Sequence, residues 1–265
     1  MESITSRDGT RIAYAREGEG PPLLLVHGTT ADHTRWSGIS PALEARFTVY
    51  GMDRRGRGGS GDAEPYAIER EFEDVAAVID AIGEPVDVLG HSYGALCALE
   101  ASLLTEKIRR LVLYEPPMSE GSEEYPPEAL QQMNDWLEAG EREAALEVFF
   151  RKVVRMPQHE LERYRKLPAW RVRIGLAHTI PRELAAEEAY RIAAGRFESH
   201  RTPTLLLLGG DSPSVFRNAS VKLAALLPRS WIAVLAGQQH VAMDMDPEAF
   251  LGPVTGFLEG AAPPH

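Results

Sequence analysis

The chain is poor in cysteine and has no long apolar run. Its one cysteine is Cys97, so an intrachain disulfide and a cysteine-rich zinc site are both excluded. No apolar stretch exceeds five or six residues, far short of a membrane span. The opening residues, Met1-Glu2-Ser3-Ile4-Thr5, lack the basic-then-apolar order of a signal peptide. Positive charge is also scarce. Lys and Arg number 28 against 39 Asp and Glu, a formal net charge of −11, which argues against a nucleic-acid-binding surface. No G-x-x-x-x-G-K and no H-E-x-x-H occurs, and His33, His159, His178, His200 and His265 show no ligand spacing. The expectation is a soluble, cytoplasmic protein with no membrane or nucleic-acid partner, no metal and no organic cofactor. The oligomeric state is left open. What is present is ordinary for a globular chain, with 44 % hydrophobic and 25 % charged residues among 265, enough for one large α/β core.

Strand-like and helix-like segments alternate. Residues 3–16 read as a hairpin around the turn Asp8-Gly9. Leu23-Leu24-Leu25-Val26, residues 47–52, 86–89, 111–114, 204–208 and 231–235 read as short strands, several of them apolar throughout. Residues 66–82 carry Phe72, Val75, Ala76, Ile79 and Ile82 on one helical face. Helices are also expected at 95–104, 214–227 and 247–259. Such alternation predicts a mostly parallel sheet covered on both faces. Residues 118–200 break the rhythm with amphipathic helical stretches at 127–139, 141–155, 158–167 and 181–195, separated by prolines. They divide the chain into a core of residues 1–117 and 201–265 and a helical insertion at the sheet's edge.

The chemistry gathers at the strand ends. Gly90-His91-Ser92-Tyr93-Gly94 closes the strand 86–89 and opens a helix, which places Ser92 on a tight strand-to-helix turn. A serine hydroxyl needs a base in reach. His240, in the loop after the last strand, is the best candidate, because loops at the carboxyl ends of parallel strands share one edge. The base needs an orienting acid. Asp211, in Gly209-Gly210-Asp211 after the strand 204–208, is favoured. Glu115, which also ends a strand on that edge, is the rival, and Asp244 and Asp246 are weaker ones. Backbone N–H groups of Thr29 and Tyr93 are candidates to bind an oxyanion.

Together these segments resemble proteins of the α/β-hydrolase fold. The likeness rests on His27-Gly28, Asp53-Arg54-Arg55-Gly56-Arg57-Gly58-Gly59-Ser60, Gly90-His91-Ser92-Tyr93-Gly94, Asp211 and His240, in the order serine, acid, histidine. It differs from the usual pattern at Gln239, at Arg57 and in an acid loop one residue short. The resemblance implies an eight-stranded, mostly parallel sheet with residues 118–200 as a helical cap. It also implies a triad of Ser92, Asp211 and His240 that cleaves a carboxylic ester or related small acyl substrate through an acyl-enzyme. In such proteins the same triad also supports perhydrolysis or haloperoxidation, carbon–carbon hydrolysis and hydroxynitrile cleavage. A ligand receptor without turnover is the remaining alternative.

Other signals are weighed lower. Gly56 to Gly61 matches G-x-G-x-x-G, but Asp62-Ala63-Glu64-Pro65 separates it from any helix, so a dinucleotide site is not expected. Residues 151–173 hold Arg151, Lys152, Arg155, Arg163, Arg165, Lys166, Arg171 and Arg173. They read as a solvated helix face, with a dock for an anionic substrate as the alternative. Trp136, Phe149, Phe150 and Trp170 wall an acyl pocket or form the insertion's own core. Cys97 reads as an inert buried thiol.

Overall fold

In the computed structural model, which describes residues 1–118 and 126–261, eight strands form one sheet in the order β1-β2-β4-β3-β5-β6-β7-β8. The hairpin β1 (Glu2–Thr5) and β2 (Arg11–Glu17) is antiparallel, and β2 runs antiparallel to β4 (Thr48–Met52). All other neighbours pair in parallel: β4 with β3 (Pro22–Val26), then β5 (Val86–His91), β6 (Ile108–Tyr114), β7 (Thr204–Gly209) and β8 (Ser230–Leu235). The expected eight-stranded, mostly parallel sheet is therefore present. Its parallel strands deliver the loops that follow them to one edge.

The apolar runs are buried on both faces because alternate side chains point to opposite sides. Leu24, Val26, Val88, Leu111, Leu113 and Leu206 pack with helices α2 (Ile68–Ile82) and α3 (Tyr93–Ala101) and with Leu223 of α9 (Ser214–Leu226). Their neighbours Leu23, Leu25, Leu89, Val112, Leu205 and Leu207 face the other way. There they meet Leu43 of α1 (Ser40–Glu44) and Phe250 and Val254 of α11 (Pro247–Leu258).

Between β6 and β7 lie α4 (Pro127–Glu138), α5 (Arg142–Val148), a π-helical turn (Phe149–Val153), α6 (Gln158–Tyr164), α7 (Pro168–Leu176) and α8 (Ile180–Ala189). Phe149, Phe150, Tyr164, Trp170 and Leu184 form an apolar cluster of their own, joined by Val241 from beyond β8. The expected helical stretches are found here, except that the one expected over 181–195 ends at Ala189 and the periodicity of 141–155 conceals the π turn. Helix α7 starts at Pro168, so that proline opens a helix as well as ending the previous one. The short α10 (Ala242–Met245) is also unforeseen. Residues 119–125 of the insertion, and His265, lie outside the described residues. No helix among the described residues is long and apolar enough to cross a membrane.

Candidate active site

Ser92 sits between β5 and α3 with φ 54° and ψ −128°, a left-handed backbone that a side chain rarely adopts. Its neighbours force this shape. A Cβ on Gly90 would lie 2.6 Å from Ala95 Cα, and one on Gly94 would strike the carbonyl of His27. The turn is therefore pressed against the β3 loop, and only glycines let it pack there. The Ser92 amide donates to the Tyr114 carbonyl (2.8 Å), which ties the elbow to the end of β6.

His240 lies in the loop after β8, 5 % exposed. Its Nδ1 is 2.6 Å from Glu115 Oε2, and the other carboxylate oxygen accepts from the Gly209 amide at 2.8 Å. A carboxylate can only accept, so Nδ1 carries the proton and Nε2 is left for another partner. Glu115 is fully buried and has φ 45° immediately after β6, a kink that turns its side chain along the sheet edge toward His240.

The sequence favours Asp211 for this place, and the structure corrects that. Strand β7 runs on to Gly209, the Gly210 amide donates to Leu235 O, and the Asp211 side chain is exposed. Its backbone amide donates to Gln238 O (3.0 Å) and so braces the histidine loop from outside. Asp244 pairs instead with Arg35 at 2.5 Å, and Asp246 caps α11 through the Ala249 amide.

Three residues holding His240 escape a motif search. His91 Nε2 lies 2.8 Å from the His240 carbonyl, so it donates there, and burial followed by repulsion from His240 keeps the His91 ring well below the ordinary histidine range. The Tyr114 hydroxyl donates to the Gln239 carbonyl and accepts from the Ala242 amide. Phe216 of α9 stacks on the His240 ring, with centroids 4.5 Å apart at 21°. His91 and Tyr114 end β5 and β6 on the loop-bearing edge, and Phe216 lies in the first turn of α9; position beside that edge was the one available clue.

Thr29 and Tyr93 flank Ser92. Tyr93 opens α3, so its amide has no carbonyl one turn earlier to donate to. The Thr29 amide forms no hydrogen bond with the described residues. The β3 loop is held by the next motif. The Arg54 amide donates to His27 Nε2 (3.1 Å) and the Arg54 side chain to the Gly28 carbonyl. Burial, then the charges of Arg54 and Arg57, push His27 well below the usual histidine range. Arg54 is also paired with Glu71 of α2 at 3.2 Å and Glu183 of α8 at 2.5 Å.

Ser92, His240, Thr29, Phe149 and Val154 line two adjoining cavities. The larger has further apolar walls from Val153, Leu184 and Phe216. The smaller ends on His91, Phe150 and Arg173. Of the aromatics expected at a pocket or in the insertion's core, Phe149 and Phe150 serve both purposes, Trp170 is buried in the core, and Trp136 is exposed. Of the eight cations between 151 and 173, seven are exposed as a solvated face requires, and Arg173 is buried. Cys97 is fully buried, which raises its thiol pKa well above the ordinary value. Asp32, His33 and Asp53 place one ligand atom each within 4.8 Å of one another. Asp53 Oδ1 already accepts from both the amide and the ring Nδ1 of His33, and Asp32 caps the turn that follows.

Comparison with known proteins gives the same picture. Residues 23–252 match the model of the Alpha/beta hydrolase family. Along 94 % of its length the chain superposes on the whole of an alpha/beta hydrolase from Sphaerobacter thermophilus, with a TM-score of 0.79 and 35 % identity. It is 29 % identical to the pimeloyl-[acyl-carrier protein] methyl ester esterase of Aeromonas hydrophila over 93 % of this chain and 99 % of that one. A segment of 100 residues is 40 % identical to the probable oxidoreductase EphD of Mycobacterium tuberculosis, but this match spans 35 % of the chain and only 17 % of EphD.

Proposed function

The chain belongs to the alpha/beta hydrolase family, and we propose that it hydrolyses a carboxylic ester with Ser92 as nucleophile, His240 as general base and Glu115 as the orienting acid. The observation that carries this reading is the buried bond between Glu115 and His240 Nδ1, with His240 lining the same cavity as the strained Ser92. Ser92 Oγ attacks the carbonyl carbon while Nε2 of His240 takes its proton. Glu115 fixes the ring tautomer and stabilises the imidazolium that forms. Amides of Thr29 and Tyr93 receive the oxyanion. His240 then hands its proton to the departing alcohol. A water, deprotonated by the same nitrogen, attacks the acyl-enzyme and releases the acid. The helices between β6 and β7 serve as a cap, since Phe149, Val153 and Leu184 close the larger cavity above Ser92.

The test is labelling with an alkyl fluorophosphonate followed by intact-mass and peptide analysis. One adduct, on Ser92, is expected, with loss of aryl-ester hydrolysis in step. Ser92→Ala should take no label and lose about six orders of magnitude in kcat. An unlabelled Ser92, or an alanine variant that keeps its turnover, would sink the proposal.

A further inference from the structure

Five arginines are buried among the described residues: Arg35, Arg54, Arg55, Arg57 and Arg173. Four of them have carboxylate partners. Arg35 pairs with Asp244, Arg55 with Asp74, Arg54 with Glu71 and Glu183, and Arg57 with Glu183. Arg173 pairs with none, although it is only 3 % exposed. Its Nε donates to the Tyr164 hydroxyl at 2.6 Å. Its Nη1 donates to the Thr29 carbonyl at 2.9 Å and the Thr30 hydroxyl at 2.7 Å. Nη2 donates to nothing among the described residues, yet it is not one of the nitrogens sealed off without a partner. It is therefore not sealed in, and Arg173 lines two cavities, the smaller one beside Ser92 and His240 and another shared with Thr30, Asp32 and Arg35.

Anchoring the Thr29 loop accounts for Nε and Nη1, and a neutral donor could do that without desolvating a charge. The rings of Phe150 and Tyr164, with centroids 5.2 and 5.5 Å from the guanidinium carbon, meet part of the charge, but no carboxylate pairs with it and the two N–H bonds of Nη2 have no acceptor among the described residues. Burial lowers the pKa of this guanidinium, and the more distant Asp244 and the Tyr164 hydroxyl offset that only in part. A neutral ester filling the small cavity would strip water from Nη2 and leave the charge uncompensated. A carboxylate there would accept a charge-assisted bond from Nη2.

We propose that Arg173 receives a carboxylate carried by the substrate, so that the ester cleaved at Ser92 is a monoanion. This rests on the ester-hydrolase reading above. One arm of the ester bears the carboxylate and enters the small cavity, and the other lies against the apolar walls of the larger one. Arg173 is then a specificity-determining residue, reading the charge of the substrate while Nε and Nη1 hold the loop that carries Thr29.

Two matched series test it. Monomethyl esters of four- to six-carbon dicarboxylic acids are compared with methyl esters of the monocarboxylic acids of equal length. O-Acetyl hydroxy acids are compared with acetate esters of the corresponding alcohols. In one series the wild-type protein should favour the anion by about tenfold or more in kcat/KM, chiefly through KM. Arg173→Gln should lower kcat/KM for the anion by about a hundredfold. Loss of the loop anchor affects both members of a pair alike, so the fall in their ratio reports the charge alone. If that variant does not fold, the wild-type ratio decides, together with calorimetric binding of glutarate to Ser92→Ala, which should compete with the anionic ester. Wild-type preference for the neutral member in both series overturns the proposal, as does an equal loss for both members in Arg173→Gln. Fluorophosphonate labelling separates the two readings. A labelled protein that cleaves only neutral esters keeps the first and loses this one, and an unlabelled, inactive one loses both.

Discussion

Thr30, Ser92, Glu115 and Arg155 are the non-glycine residues with positive φ among those described. Ser92 and Arg155 line the larger cavity, Glu115 holds His240, and the Thr30 hydroxyl bonds to Arg173. Each such position stores backbone strain of order 1–3 kcal/mol that the surrounding packing must hold. Tight glycines supply that packing at the elbow. Gly94→Ala would drive a methyl group into the backbone of Val26 and His27, and neither can yield without moving β3. Urea unfolding should show a loss of about 3 kcal/mol or more, and wild-type stability in that variant would mean the elbow is looser than described. Ser92 and His240 were legible in the sequence because both follow apolar runs on the same sheet edge. The carboxylate that bonds to His240 was not fully so. Glu115 and Asp211 both end strands, and deciding between them requires the kink at φ 45° and the extra reach of a glutamate, neither of which a motif records. Arg173 was hidden for a similar reason. Among seven exposed cations nothing in composition marks the one that α7 turns inward.

Elements were read more easily than side chains. Apolar runs placed β3 to β8, since a strand covered on both faces needs continuous apolar sequence, and the turn Asp8-Gly9 placed the hairpin β1-β2. The helices of the insertion were visible in outline, but α7 was missed because half of its length is charged or small. Contacts between elements were not visible at all. Arg54 and Arg57 lie in the loop after β4, Glu71 in α2 and Glu183 in α8, and they form one buried ionic cluster beneath the Thr29 loop. The cluster couples the insertion to the sheet. Arg54→Met should leave Glu183 and Glu71 short of a counter-charge and cost about 3–5 kcal/mol of stability, read by chemical denaturation. A change below 1 kcal/mol would show that the cluster is solvated in solution.

At the scale of the molecule, buried neutral histidines set the acid side of stability. His27 and His91 have pKa values well below the usual range, driven first by burial and then by the neighbouring cations Arg54 and Arg57 or by His240. In the unfolded chain both bind protons near pH 6.5 and in the folded chain they do not, so their contribution is complete above that pH and is lost as pH falls below it. Each histidine contributes up to about 1.4 kcal/mol per pH unit. His33 acts in the opposite sense. Its hydrogen bond to Asp53 raises its pKa, so its contribution is present below the ordinary range and lost as pH rises. With two deep shifts against one partly exposed pair, unfolding free energy should fall from pH 7 to pH 5, and less steeply in His91→Gln. A flat profile would mean that these rings are hydrated. The same convergence of distant segments that buries the histidines brings the ends of β5, β6 and β8 to one cavity. Kinetics of Glu115→Gln and Asp211→Asn on one aryl ester test it directly. Glu115→Gln should lose about four orders of magnitude in kcat and Asp211→Asn less than tenfold, whereas the reverse ranking would remove Glu115 as the orienting acid.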